Sequence, residues 1–409
     1  MMTIIKFAGF IAILLLVLLG SHYLLYASIL RFFSISHPGL MKIIRWLLFF
    51  LSLSFFLAAF LLRLHINPFT SFLYITSCLW FGLFLHLLMA LVFIWLVFGV
   101  GKLVGSVPDM RVVTLGFFLL AMAISVYGVW HAQNPQLKRV EVDIKGLPDH
   151  WRNRKIVQLS DVHLGVINRR NFAKRIADRV NGEEPDLVFI TGDLFDGMGG
   201  HLSSFVEPLN ALKASKGIFF VTGNHEGYLG LEKPFAVLKE TPIKVLDNEI
   251  VEVDGLQIIG ISFPEHDQET SVRHLLTQSG LYDDGKPSIL LYHTPTNIEE
   301  KNTDRANQQS RTYWSPDTSM ALAKEVGIDL QLSGHTHKGQ LFPFGFQTRA
   351  VYNGFDYGLH QDGDFQIYVS SGVGTWGPPM RTGSSSEIVM IVLRDNTRST
   401  QSKARASLR

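Results

Sequence analysis

Four apolar runs in the first third of this chain decide what it can fold into. Residues 7–30, 69–101 and 112–130 carry no Asp, Glu, Lys or Arg, and residues 43–62 carry only Arg45, near their start. A helix of roughly 20 apolar residues crosses the hydrocarbon core of a bilayer, because it satisfies its own backbone polar groups and leaves none facing lipid. Each run therefore predicts a transmembrane helix, with Arg45 reaching the interface along its apolar stem. The 69–101 run exceeds one span and is expected to tilt or to emerge into the headgroup region. A cleaved signal peptide would account for the first run alone. That run lacks a short apolar core followed by a small-residue cleavage site, and three further spans follow it.

Four spans return the chain to the side on which it starts. The loops after the first and third spans carry Arg31, Lys42, Arg45, Lys102 and Arg111, while the opposite side carries Lys6, Arg63, Lys138 and Arg139. Positive charge concentrates on the cytoplasmic side, so the balance leans toward a large domain outside the cytoplasm. His22, His65, His86 and His131 lie in or near the spans and are read as structural or interfacial residues.

The apolar excess ends near residue 131, and beyond it the sequence reads as an ordinary soluble domain. A formal net charge of +2 argues against a strongly basic nucleic-acid binder. The single cysteine, Cys78, sits in an apolar run, which excludes an intrachain disulfide framework and cysteine-rich zinc sites.

Residues 133–147 mix charge with short apolar alternation and form the link into the soluble part. Short apolar runs at 156–159, 187–191, 218–221, 243–246, 256–261, 289–292, 330–332, 365–369 and 388–392 predict strands. Helical periodicity is expected at 169–180, 205–212, 272–278 and 318–326. Strands alternating with helices argue for an α/β fold. The late strands have fewer helices between them, so part of the sheet system should be mixed, and a two-sheet sandwich flanked by helices fits best. Residues 300–315 read as a polar surface insertion, and 395–409 as a disordered basic tail.

Five motifs follow predicted strands: Asp161-Val162-His163, Gly192-Asp193, Gly223-Asn224-His225-Glu226, His293, and Gly334-His335-Thr336-His337. Each carries an oxygen or nitrogen ligand type. Residues i and i+2 at a strand end share a face, which would let Asp161 and His163 reach one cation. Two histidines separated by one residue, His335 and His337, form the strongest single signal. A glycine turn before Asn224 and His225 is more specific than Gly192-Asp193, which an ordinary turn explains. Alone, His293 would be read as a core histidine. Together, in this order at strand ends, the five describe a site for two metals.

Over residues 155–393 this order and spacing resemble the calcineurin-like metallophosphoesterase superfamily. Gly334-His335-Thr336-His337-Lys338-Gly339-Gln340, and Gly372-Val373-Gly374 with Arg381, resemble its membrane-associated bacterial phosphodiesterase-like branch, which usually has glycine in place of Lys338. The resemblance implies a metallophosphoesterase domain over 155–394, preceded by a four-helix transmembrane domain over 1–131 and by a linker with the first strand of the soluble part over 132–154. It implies that Asp161, His163 and His337 hold one divalent cation, that Asn224, His293 and His335 hold a second, and that Asp193 bridges them. His225 would stand near the leaving group without ligating. Oxygen and imidazole donors without thiolate suit Mn²⁺, Fe or Zn²⁺, with Mn²⁺ favoured. The implied reaction is attack of a metal-bridging hydroxide on a phosphodiester, pyrophosphate or phosphomonoester, with His225 assisting the departing oxygen.

Arg381 and Lys338 are candidate contacts to a substrate phosphate. Arg169 and Arg170 are further phosphate candidates but read first as a solvated basic pair; Asp196 and Glu226 read first as surface acids, with a role behind the metal ligands as the alternative. The membrane tether points to a lipid or lipid-linked substrate and to a bacterial inner membrane, with no nucleic-acid partner. Two other readings compete. A transport-associated or scaffold protein with a regulatory metal domain would usually show intramembrane acids or bases, which these spans lack. A nuclease of the same superfamily would need a basic, aromatic-lined groove, for which the sequence has no pattern.

Overall fold

A computed structural model describes residues 2–263, 272–299 and 315–395. The expected insertion at 300–315 and tail at 395–409 therefore fall, apart from Ser315 and Asp395, outside the described residues. The chain forms two compact units, Met1–Trp130 with Gly377–Met380, and His131–Trp376 with Arg381–Arg409.

The first unit contains α1 (Met2–Phe32), α2 (Pro38–Leu64), α3 (Pro68–Val104) and α4 (Met110–Ala132). All four are long and apolar enough to cross a membrane. Their boundaries follow local chemistry. Pro38 and Pro68 occupy first-turn positions, where a missing N–H costs nothing. Asn67 caps α3 by accepting the N–H groups of Phe69 and Thr70 at 2.9 and 3.0 Å. Gly105 closes the same helix in the left-handed conformation.

Leu16, Phe50, Phe72, Val92 and Leu120 are each more than half exposed, while Leu25, Phe84, Leu91 and Ile94 pack inside the unit. An outward apolar surface of this kind suits lipid. Several polar side chains within the helices pair with one another, as that solvent favours. Trp80 donates to His22 Nε2 at 3.2 Å, His86 Nδ1 lies 2.7 Å from Ser125 Oγ, and Trp95 donates to Ser28 at 2.9 Å.

The second unit is a pair of six-stranded mixed sheets. The strands are β1 (Gln136–Ile144), β2 (Lys155–Leu159), β3 (Leu187–Thr191), β4 (Ile218–Val221), β5 (Ile243–Val245), β6 (Glu249–Val253), β7 (Leu256–Ile261), β8 (Ser288–Tyr292), β9 (Leu330–Ser333), β10 (Gly358–Asp362), β11 (Phe365–Val369) and β12 (Glu387–Asp395). Their orders are β1-β12-β2-β3-β4-β5 and β10-β11-β9-β8-β7-β6. In the first sheet β2 to β5 run parallel, and in the second β7, β8, β9 and β11 do so.

Strand periodicity builds three apolar layers. Ile156, Phe189, Phe219 and Val389 from one sheet meet Ile258, Leu291, Leu332 and Tyr368 from the other. The alternate residues Val157, Ile190 and Phe220 face the helix α5 (Arg170–Asn181), through Phe172, Ile176 and Val180. On the outer face of the second sheet, Ile259, Leu290 and Ile367 pack against Leu276 and Leu322. Both faces of the central strands are therefore buried, which is why they read as continuous apolar runs. A fully buried phenylalanine such as Phe189 contributes enough that truncation to alanine should cost about 3–5 kcal/mol. Parallel strands share the direction of their carboxyl ends, so loops leaving β2, β3 and β4, and likewise β8 and β9, open on one edge of each sheet.

Several elements differ from expectation. The segment expected as one helix at 205–212 is a short turn, Leu202–Phe205, followed by the five-residue helix Val206–Asn210. The expected helix at 318–326 is shorter, Ala321–Glu325. The strands β6 and β10 and the helix Phe344–Val351 were not expected.

Candidate metal centre

The loops leaving β2, β3, β8 and β9 bring Asp161, Asp193, His293 and His335 together, His163 and His337 join them from the same loops, and Asn224 follows Gly223 in the loop after β4. All seven are buried or nearly so. His337 Nε2 lies 3.3 Å from Asp161 Oδ1, and His163 Nε2 lies 3.0 Å from His337 Nε2. His293 Nε2 lies 3.3 Å from Asp193 Oδ2 and 3.2 Å from His335 Nδ1. Asp161, His163 and His337 form one group whose ligand atoms fall within 4.8 Å of one another, and Asp193, His293 and His335 form another. His225 joins His163 and Asp193 in a third such group, its Nε2 at 4.0 Å from Asp193 Oδ2.

The pleat of a strand does not achieve this convergence, contrary to the sequence reading of Asp161 and His163. β2 ends at Leu159, and Asp161 and His163 both take positive φ, 53° and 50°. Asp193, His335 and His337 do the same at 51°, 70° and 48°. Non-glycine residues reach this region at a cost, and they persist in it only where surrounding bonds hold them. Those bonds are present. Asp161 N–H donates to Gly192 C=O at 3.1 Å, His163 N–H to Asp193 C=O at 3.0 Å, and Gly374 N–H to Asp161 C=O at 2.8 Å. The Asp161 carboxylate accepts Ser160 Oγ–H at 2.6 Å and His335 N–H at 2.9 Å.

Two glycines make room for the ligands. A Cβ on Gly223 would overlap Asp193 Oδ1, and one on Gly334 would overlap Ser160 Oγ and Asp161 Oδ2. Asn224 opens the short helix Asn224–Leu229 rather than a plain loop.

The two acids expected at the surface are buried. Glu226 is fully enclosed and accepts the N–H groups of Gly223, Phe195 and Asp193 at 2.7, 2.9 and 3.0 Å. It thereby staples the β3 loop to the β4 loop. A glutamate three residues after a capping glycine is a helix-start pattern that could have revealed it. Asp196 is also buried, with Oδ1 at 3.5 Å from His225 Nδ1.

Arg381 is placed otherwise than the expected phosphate contact. It has no exposed surface, and its guanidinium donates to the carbonyls of Gly372, Gly374, His337 and Ser385 and to Ser384 Oγ. Its Nη2 reaches His337 Nδ1 at 3.1 Å. Lys338 is half-buried, with its ammonium 4.0 Å above the Tyr357 ring. Arg169 donates to Val166 C=O at 2.9 Å and Arg170 pairs with Glu207 at 2.8 Å, so both serve the local surface.

The electrostatics divide the histidines. Burial holds His163 well below the usual imidazole range and lowers His335 to about 3. His337 is lowered too, by burial first. These three are neutral and can offer a lone pair. Burial is the largest single influence on His293 and His225 and would lower both, but the surrounding acceptors together outweigh it, Asp193 and Asp161 at His293 and Asp193, Asp196 and Glu226 at His225, and both rise to about 9. Conversely, burial opposes ionisation of Asp193, yet His293 and His225 hold it well below the carboxylate range. His293 Nδ1 donates to Thr191 C=O at 2.8 Å, which leaves Nε2 facing Asp193. That face needs either a proton or a cation. Asn224 Oδ1, next in sequence to His225, is buried with no hydrogen-bond partner among the described residues, an acceptor left open. The donor set therefore fits divalent cations.

A family model described as Calcineurin-like phosphoesterase matches residues 154–339. The chain is 31% identical to an uncharacterised metallophosphoesterase of Helicobacter pylori strain J99, over 84% of this chain and 88% of that one. It is 33% identical to an uncharacterised metallophosphoesterase of Campylobacter jejuni, over 69% of this chain and 71% of the relative. It is also 32% identical to a transmembrane protein with metallophosphoesterase domain from Danio rerio, over 68% of this chain and 61% of that protein.

Proposed function

Because this chain belongs to the calcineurin-like phosphoesterase family, we propose that it is a membrane-anchored hydrolase of phosphate esters working with two divalent cations. One observation carries the reading: Asp161, His163, Asp193, His225, His293, His335 and His337, from five loops, converge with their ligand atoms close to one another. In this proposal Asp161, His163 and His337 would hold one cation, Asn224, His293 and His335 would hold the other, and Asp193 would serve both. When bound, such a pair supplies a nucleophile at neutral pH and polarises the phosphoryl oxygens.

The chain's own residues do the rest. His225 keeps Nδ1 toward Gly197 N–H at 3.0 Å and toward Asp196. Its Nε2 faces Asp193 from a side chain 15% exposed, so it can pass a proton to a departing oxygen. Lys338, next to His337, is the cation available to a substrate phosphate, while Arg381 supports His337 from within the domain. The four spans favour a lipid or lipid-linked ester, cleaved at a phosphodiester, pyrophosphate or phosphomonoester bond. The basic loops favour a bacterial inner membrane with the domain outside the cytoplasm, and the donor set favours Mn²⁺.

The test is a hydrolysis screen of the purified full chain with added Mn²⁺, comparing phospholipids, nucleotide-sugar pyrophosphates and aryl phosphates. Activity should vanish on chelation, return with Mn²⁺, and be lost in Asp193→Ala and His225→Ala proteins that still fold. Turnover that survives chelation or either substitution would overturn the proposal. Activity on soluble esters alone would remove the lipid assignment.

A further inference from the structure

The loop that carries His335 and His337 continues, beyond Lys338, into an aromatic segment that the hydrolytic chemistry does not use. Gly339, at φ +72°, lets the Phe344–Gly345 backbone pack directly against it. From there Phe342, Phe344 and Phe346 project outward, 49%, 45% and 72% exposed, and the helix Phe344–Val351 buries none of its residues. The Phe342 and Phe346 rings meet edge to face at 6.1 Å. Trp376, 51% exposed, joins the same surface, because the Gln340 side chain brackets its backbone, donating to Trp376 C=O at 3.1 Å and accepting Trp376 N–H at 3.3 Å.

Four exposed aromatic rings in one place are costly in water. The charge pattern says what covers them. Between residues 338 and 355 the charged residues are Lys338 and Arg349, and there is no Asp or Glu. An aromatic surface flanked by basic and not acidic residues matches the headgroup level of a bilayer, where Trp and Phe bury their rings and Lys and Arg meet lipid phosphates. Three residues, 133–135, separate α4 from β1, so the domain carries a short covalent tether to the spans.

We propose that Phe342, Phe344, Phe346 and Trp376, with Arg349, form a strap that inserts its rings at the lipid headgroup level beside the metal-centre loop. This contact stands independently of the hydrolytic reading. It would hold the mouth of the site at the lipid–water boundary.

The test uses the full chain in vesicles of phosphatidylethanolamine and phosphatidylglycerol. A Phe346→Cys protein is labelled with an environment-sensitive fluorophore, and a Leu281→Cys protein serves as control at a site 61% exposed elsewhere on the domain. The unsubstituted protein, carried through the same labelling, reports any reaction at Cys78, which is buried. Nitroxide-bearing lipids should quench the label at 346 severalfold more than the label at 281. Adding Phe342→Ser and Phe344→Ser should remove most of that quenching. Equal quenching at the two sites would overturn the proposal, and so would quenching at 346 that survives the double substitution. Emission that changes with protein density but not with nitroxide lipid would assign the surface to a second copy of the chain instead.

Discussion

Glu226 Oε2 accepts the backbone N–H of Asp193 at 3.0 Å, so a side chain from the β4 loop fixes the backbone of the β3 loop. The same carboxylate holds Phe195 and Gly223. Burial and the nearby Asp193 charge push its pKa up to about 7, while the donated N–H groups pull the other way. Glu226→Gln keeps the shape but turns an amide NH₂ toward groups that are themselves donors. We expect it to lower stability by about 1–3 kcal/mol and divalent-cation affinity by about 10–100-fold. Thermal unfolding in chelator reads the first effect and calorimetric Mn²⁺ titration the second. Unchanged values of both would remove Glu226 from the support of the site.

Arg381 acts on His337 in a comparable way. A guanidinium only donates, so its Nη2 at 3.1 Å requires His337 Nδ1 to accept. Burial lowers Arg381 only to about 10, and it remains charged at neutral pH. Burial lowers His337, and the Arg381 charge adds to this, so the ring stays neutral. Arg381→Met should therefore weaken metal binding most at acidic pH, where His337 would begin to hold a proton. It should also strip donors from the carbonyls of Gly372 and Gly374 and destabilise the fold by about 3 kcal/mol or more. A Mn²⁺ titration at two pH values checks the first effect. A direct phosphate contact would instead raise KM alone and leave metal affinity unchanged.

The sequence revealed the fold where burial is complete and concealed it where burial is partial. The central strands are enclosed on both faces and show as unbroken apolar runs, as in Leu187–Thr191 and Ser288–Tyr292. β6 and β10 are the edges of the second sheet, half-exposed and interrupted by polar residues, and no such run marks them. The helix Phe344–Val351 buries nothing and so carries no apolar stripe. At the site, residue types after each strand were readable, because chemistry requires donors there. The left-handed backbone at Asp161, His163, Asp193, His335 and His337 was not, since its cause is the hydrogen bonding of distant loops such as Gly192 and Gly374. The burial of Glu226 and Asp196 depends on the same loops.

Without a cation, the site should hold protons in its place. His225 and His293 rise to about 9 from an ordinary value near 6.5, because burial, which lowers them, is outweighed by the surrounding carboxylates together, Asp193 first among them. A raised folded-state value stabilises the fold fully below pH ~6.5, and that contribution is lost as pH rises through about 9. The depression of Asp193 is the same attraction seen from its other end and adds no second contribution. Thermal stability in chelator should therefore fall between these pH values, and His293→Asn should flatten the fall. Metal affinity should rise over the same interval, because each cation displaces protons. A melting temperature independent of pH across this window would contradict the assignment.

Gly334 offers the most local test of how tightly the cluster is built. It follows β9, its N–H donates to His293 C=O at 2.8 Å, and it precedes His335, whose N–H holds the Asp161 carboxylate at 2.9 Å. A methyl group there overlaps Ser160 Oγ and Asp161 Oδ2, so Gly334→Ala must displace a ligand or open the sheet edge. Overpacking of this kind costs about 1–3 kcal/mol, a loss that a domain with this much buried surface should survive. Metal binding should suffer more, because Asp161 cannot move without carrying the Ser160 and His335 bonds with it. The comparison is Gly99→Ala in α3, where a Cβ meets nothing within 4 Å and helix propensity favours alanine. The Gly334 variant should fold with a lowered melting temperature and bind substoichiometric metal by elemental analysis, while the Gly99 variant retains both properties. Full metal occupancy in Gly334→Ala would mean that Asp161 is not held where the cluster requires it.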